Sequence, residues 1–136
     1  FSKKPIEIFN NGNMMRDFTY IDDVINAILK LIDKPAKPDE DFDELDPNPS
    51  SSWAPFRIFN IGNQEPVPLM TFIEILEKEI GIKAIKTFKE FQQGDVQSTS
   101  ASINLLNNWT DFKPHTSLKE GIKEFIDWYK SYYHLV

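Results

Sequence analysis

Apolar and polar side chains alternate over Pro5-Ile6-Glu7-Ile8-Phe9, and Asn10-Asn11-Gly12-Asn13 follows at once. A period of two in β-forming residues, ended by residues that tolerate positive φ, predicts a strand closed by a tight turn. Met14 to Phe18 leads back in extended form. The period then changes: Val24, Ile25, Ile28, Leu29, Leu31 and Ile32 recur at helical spacing until Asp33-Lys34-Pro35 stops them. This predicts an amphipathic helix with one face for burial and Asp22 as its cap. Phe56-Arg57-Ile58-Phe59-Asn60-Ile61, before Gly62-Asn63, is apolar on both faces, as in an interior strand covered from both sides. Pro66-Val67-Pro68 opens a second helix, with Leu69, Phe72, Ile73, Leu76 and Ile80 on its face and Gly81 at its C-terminal stop. A short strand over Ala84 to Phe88 and a loop at Gln92-Gln93-Gly94-Asp95-Val96 come next. Ser102 is placed to cap a short helix through Leu105, Leu106 and Trp109. The last helix starts at Ser117, in a capping box with Glu120, and carries Leu118, Ile122, Phe125, Ile126 and Tyr129. Strands alternating with helices place the chain in the α/β or α+β class.

The stretch 34–55 breaks this pattern. It holds Pro35, Pro38, Pro47, Pro49 and Pro55, three consecutive serines and a run of acids, and too little apolar surface to order strongly by itself. It reads as a flexible, solvated loop inside one domain spanning 1–136, because a long loop closes at small entropic cost. Its charge accounts for the charge of the whole. Asp39 to Asp46 contains six acids and no base, so a net charge of −6 leaves 15 acids against 15 bases elsewhere. The lysines are scattered, with no basic stripe to follow a phosphate backbone, which argues against a nucleic-acid partner. Zero cysteines exclude disulfides, thiolate metal sites and a cysteine nucleophile, and fit a reducing compartment. No apolar run reaches membrane-spanning length, so a soluble protein is expected. A hydrophobic content of 40% with eleven Phe is enough for a folded core. The start at Phe1-Ser2-Lys3-Lys4-Pro5, without methionine, reads as part of something longer.

The candidate chemistry sits at the first strand-to-helix junction, Met15-Arg16-Asp17-Phe18-Thr19-Tyr20-Ile21-Asp22-Asp23. Arg16 is one of two arginines. A guanidinium there can offer paired, charge-assisted hydrogen bonds to an anion. The competing reading is a structural ion pair with Asp17 or Asp22. Asp22 and Asp23 resemble paired catalytic carboxylates, but acids at a helix start are better explained by the helix N-terminus. His115 and His134 lack ligand spacing, and no metal is expected. Trp109, Trp128 and the tyrosines at helical spacing read as packing residues.

Taken in order, RDFTYIDDV, FRIFNIGN with PVPLMTFIEILEKEIG, QQGDVQST and FKPHTSLKEGIKEFIDWYKSYY resemble the C-terminal part of nucleotide-sugar epimerases. These are extended short-chain dehydrogenase/reductases of the NAD-dependent epimerase/dehydratase family, and the UDP-glucuronate 4-epimerase branch is the nearest match. The resemblance implies an α/β substrate-binding domain without its Rossmann partner, from a cytoplasmic enzyme that uses NAD and forms a homodimer. The family's GxxGxxG loop and YxxxK pair do not occur: the glycines are Gly12, Gly62, Gly81, Gly94 and Gly121, and Tyr20 is followed four places on by Val24. This chain would then hold the UDP-sugar without supplying the chemistry. The alternative is a free-standing α/β binding or interaction module with no enzymatic activity.

The same resemblance assigns roles to individual residues. Arg16 would meet the UDP diphosphate, and Asp95 would accept bonds from the ribose hydroxyls. Gln92, standing where many relatives have arginine, would donate to phosphate without charge. Glu7 and Phe9 would contact uracil, and Thr99 would lie near the sugar. The usual aspartate of an Ala-Asp pair is replaced here by Ser102.

Overall fold

The computed structural model describes residues 1–135, in which short strands and four α-helices alternate as the residue pattern predicts. Strand β1 (Ile6–Ile8) runs into a single tight turn over Phe9–Gly12. Asn10, Asn11 and Gly12 there have φ of 49°, 50° and 81°. Asn and Gly are the residues that enter this left-handed region at least cost. The turn sends the chain back as β2 (Met15–Arg16), which leads into α1 (Ile21–Asp33). Then come β3 (Val67–Pro68), α2 (Leu69–Ile80), β4 (Lys86–Phe88), α3 (Asn104–Thr110) and α4 (Leu118–Tyr132).

The strands form two separate ribbons. β1 lies parallel to β4, with Ile6 opposite Lys86 and Ile8 opposite Phe88. Pairing continues past both strands, since Lys89 N–H donates to Ile8 O at 2.8 Å and Asn11 N–H to Lys89 O at 3.0 Å. A parallel pair needs a long crossover, and everything from β2 to α2 supplies it. β2 lies antiparallel to β3, with Arg16 opposite Val67, and Met15 also bridges Ser98 on its other side. Arg16 is therefore held between two segments distant in sequence.

Helix α2 packs on α4, and α1 on α3. Ile8, Met14, Ala27, Ile73, Ile103, Leu106, Ile122 and Ile126 form the buried core. Phe18 stacks on Phe72, with ring centres 4.3 Å apart, and so ties the approach to α1 to α2. At α4 the expected cap is present: Ser117 Oγ accepts from Glu120 N–H at 3.2 Å. Gly81 takes the left-handed conformation that ends α2, with φ of 78°.

Four local expectations differ. Phe56 to Ile61 forms no strand; its backbone is tied only by a bridge between Arg57 and Ser51 and by Ile58 N–H to Ser50 O at 2.9 Å. A strand exists only through its neighbour's ladder, and the contact with 50–51 is a single bridge. It is not interior either, since Phe56 and Ile58 are 44% and 51% exposed. The apolar stripe of α1 likewise faces outward at Ile21, Ile25, Ile28, Leu29 and Ile32, while Asp23 and Ala27 occupy the buried side. Asp22 does not cap α1, because Tyr20 holds the cap position and makes no side-chain bond there; Asp22 and Asp23 lie in the first turn. Ser102 does not cap α3, whose cap position falls at Ile103.

Residues 34–55 contain no helix or strand, as their composition suggests. They are fastened where Trp109 Nε1–H donates to Lys34 O at 2.8 Å, where Ser50 and Ser51 meet the 57–58 backbone, and where Arg57 Nη1 meets Asp39 Oδ2 at 2.7 Å, its guanidinium 5.7 Å from the Trp109 ring centre. The Arg57 guanidinium holds the Asp39 carboxyl at about 2.

Glu77 is another fastening point, joining α2 to β4. Its side chain is 3% exposed, pairs with Lys83 at 2.8 Å and with Lys86, and accepts Ala84 N–H at 2.9 Å. Lys83 first, then Lys86 and the Ala84 amide, lower its pKa from 4.5 to about 2. A folded pKa below the unfolded one gives stability that is complete above the ordinary carboxylate value. It is lost as pH falls through about 2. Wild-type thermal midpoints should therefore drop more steeply between those two values than the midpoints of Glu77→Gln. Equal slopes in a pH series of melts would contradict this role for Glu77.

Candidate functional site

The site begins with the backbone of β2. Met15 N–H donates to Gln97 O at 2.9 Å and Thr99 N–H to Met15 O at 3.2 Å, so the 97–99 segment runs beside the arginine. Arg16 Nη1 donates to Met15 O at 2.8 Å and to Gln97 O at 3.2 Å. Its Nη2 meets Asp95 Oδ1 at 2.9 Å. The ion pair is therefore with Asp95, and the partners considered from sequence, Asp17 and Asp22, are otherwise engaged or elsewhere. Asp95 sits on a turn closed by its own N–H to Gln92 O at 3.1 Å, with Gly94 at φ 87°. Only glycine enters that conformation without strain.

Arg16 and Asp95 are 23% and 32% exposed at the side chain, fixed on one side and open on the other. Two of the five guanidinium N–H groups, on Nε and Nη2, make no bond among the described residues. They are the donors left for a further acceptor. An ion pair this exposed contributes about 0–1 kcal/mol. A phosphate can thus displace the Asp95 carboxylate at small cost.

The remaining sequence candidates divide. Thr99 joins the cluster, but its Oγ1 accepts Asp17 N–H at 3.2 Å, so it ties backbone as well as bordering the site. Gln92 joins through its carbonyl, with an exposed side chain. Glu7 lies on β1, more than half exposed, with Lys89 Nζ at 3.5 Å. Phe9 opens the turn after β1 and is half-buried. No bond joins Glu7 or Phe9 to the Arg16–Asp95 pair among the described residues.

Two acids have structural roles that local sequence does not show. Asp17 accepts Asn63 N–H at 3.2 Å on Oδ1, and Gln64 and Ala101 N–H at 3.1 and 3.3 Å on Oδ2. Its partners lie 46, 47 and 84 residues away, so no spacing rule could have found them. Asp23 is 2% exposed and accepts His115 and Thr116 N–H at 3.3 and 3.0 Å, holding the start of α4 to α1.

An apolar cavity of about 330 Å³ lies elsewhere, between Phe18, Tyr20, Phe72, Leu76, Gly121 and Phe125. No charged side chain lines it, and its polar lining is limited to Thr19, Tyr20, Thr116 and Ser117. Burial, then Asp22, Glu124 and Glu120, push the Tyr20 hydroxyl upward in pKa, opposite to what a tyrosinate base requires. The glycines do not build a dinucleotide cradle. A Cβ on Gly12 would meet Met70 at 2.8 Å, one on Gly62 would meet Ala101 at 2.7 Å, and one on Gly121 would meet Tyr20 at 3.1 Å. Gly81 and Gly94 stand in open turns. These residues do not fit NAD.

Residues 2–62 match the family described as the NAD dependent epimerase/dehydratase family. The chain is 47% identical over 130 residues to Protein CapI of Staphylococcus aureus, covering 96% of this chain and 39% of that protein. It is 44% identical over 136 residues to a probable UDP-glucuronate 4-epimerase of Rhizobium meliloti, covering 96% and 38%. Among solved structures, the Bacillus cereus UDP-glucuronic acid 4-epimerase in complex with UDP-glucuronic acid and NAD superposes with a TM-score of 0.73. That likeness has 28% identity and covers 96% of this chain and 37% of the other. The chain thus spans under two fifths of the length of these relatives, and the order of its motifs and elements matches their C-terminal portion. Residues 2–62 thus carry the pattern of the NAD dependent epimerase/dehydratase family, and 96% of the chain aligns with part of proteins such as Protein CapI.

Proposed function

We propose that this chain is the UDP-sugar-binding part of an NAD-dependent nucleotide-sugar 4-epimerase of the UDP-glucuronate 4-epimerase type. The observation that carries the reading is the Arg16–Asp95 pair, which joins a guanidinium and a carboxylate 79 residues apart on a partly exposed surface. Arg16 takes the diphosphate through bidentate bonds, and Asp95, released from it, accepts the ribose hydroxyls. Gln92 adds an uncharged donor, Thr99 borders the sugar, and Glu7 and Phe9 form the uracil side.

The hydride chemistry belongs to a dinucleotide-binding region that this chain's residues do not form. In a protein of the relatives' length, NAD and the tyrosine-lysine pair reside there. The outward-facing stripe of α1 and the unpaired Phe56 to Ile61 support such a neighbour, because apolar surface of this kind is normally covered. A cytoplasmic location fits the absence of cysteine and the finding that no described helix is long and apolar enough to cross a membrane. A homodimer is the assembly proposed for the whole protein.

The expected result is that the 136-residue chain binds UDP weakly and shows no epimerisation of UDP-glucuronate when NAD is added. A chromatographic assay for the C4 epimer checks this. Turnover by the chain alone would overturn the division of labour.

A further inference from the structure

Asp17 stands next to the proposed anchor and engages more distant segments than any other side chain of the site. Its two carboxylate oxygens accept three backbone N–H groups, from Asn63, Gln64 and Ala101. Its own N–H donates to Thr99 Oγ1 at 3.2 Å. The turn after Phe56 to Ile61 and the segment that carries Asp95 toward α3 are thereby both fixed to the residue beside Arg16. The approach leaves no room for a side chain at Gly62, where a Cβ would come within 2.7 Å of Ala101 Cβ and 3.0 Å of Asp17 Oδ2.

We propose that Asp17 is the positioning residue of the nucleotide site, setting the aim of the Arg16 guanidinium by clamping the 62–64 turn and the 99–101 segment around it. The inference rests on the nucleotide reading above, and adds a residue that touches no ligand. The physical reason is the number of groups it serves. Arg16 donates to Met15 O and Gln97 O, so its guanidinium plane moves with the backbone of β2 and of the 97–101 segment. Without the carboxylate, three amides lose their acceptor, and the segments that frame the guanidinium drift apart. Binding through two parallel bonds tolerates little misalignment.

The test compares wild type, Arg16→Ala, Asp17→Ala, Asp17→Asn and Gly62→Ala in the 136-residue chain. UDP affinity is read by calorimetry, and amide exchange by NMR below the unfolding range of every variant. Asp17→Ala should weaken UDP about 10-fold, the equivalent of one lost charge-assisted bond. Exchange should accelerate at Asn63, Gln64 and Ala101. In Asp17→Asn, the amide oxygen can still serve Gln64 and Ala101, so only Asn63 should accelerate and the affinity loss should be smaller. Gly62→Ala should weaken UDP in the same direction by forcing Ala101 away. Should Asp17→Ala fail to fold, Asp17→Asn and Gly62→Ala decide. The inference is overturned if Arg16→Ala loses UDP while the folded Asp17 and Gly62 variants bind as wild type does. If Arg16→Ala also binds as wild type does, the nucleotide reading itself fails and takes this inference with it.

Discussion

Replacing Arg16 with alanine is expected to weaken UDP binding by about 100-fold, the loss of two charge-assisted bonds at the low end of their usual worth. The change removes the one charged donor of the site whose N–H groups are not all engaged. The guanidinium spends two bonds on Met15 O and Gln97 O, which fix its plane, and the diphosphate takes N–H groups on Nε and Nη2 once Asp95 is displaced from Nη2. Arg16→Lys should recover only a small part, because an ammonium carries the charge without the planar fork. Titration calorimetry of the three proteins measures this. Equal affinity for UDP in wild type and Arg16→Ala would remove Arg16 from the site.

The largest loss of stability among polar substitutions is expected at Asp23. Asp23→Ala should destabilise the fold by about 3 kcal/mol, because two part-buried backbone N–H groups lose a charged acceptor at once. Those groups belong to His115 and Thr116, just before α4, and Asp23 is 2% exposed. The substitution therefore loosens the joint between α1 and α4 rather than the end of α1 alone. Denaturant unfolding gives the value. A change below about 0.5 kcal/mol, typical of a surface residue, would contradict it.

The helices were legible because their side chains repeat at a period that local geometry imposes, and the 10–12 turn because Asn and Gly are the residues that accept its φ. The parallel pairing of β1 with β4 was not, since three-residue strands carry no signal of their partner across a long crossover. Phe56 to Ile61 shows the opposite failure. Its apolar pattern marks a strand, yet a strand needs a ladder, and the 50–51 segment gives it a single bridge. The α1 stripe likewise has the pattern of a buried face, yet Ile21, Ile25, Ile28, Leu29 and Ile32 stand exposed. At the candidate site, resemblance alone singles out Arg16 and Asp95, and their mutual bond has no sign in the sequence, because an ion pair across 79 residues leaves no local trace. Asp17 and Asp23 were hidden likewise, as a carboxylate that collects backbone N–H groups from distant loops looks in sequence like any surface acid.

The most direct test is an NMR titration of the 136-residue chain with UDP. The Arg16 Nε–H signal and the amides of Asp95, Val96 and Gln97 should shift together with a single affinity, while the residues lining the Tyr20–Phe125 cavity stay unmoved. Shifts confined to that cavity, or none at saturating UDP, would contradict the assignment of this chain as the nucleotide-binding part of its enzyme.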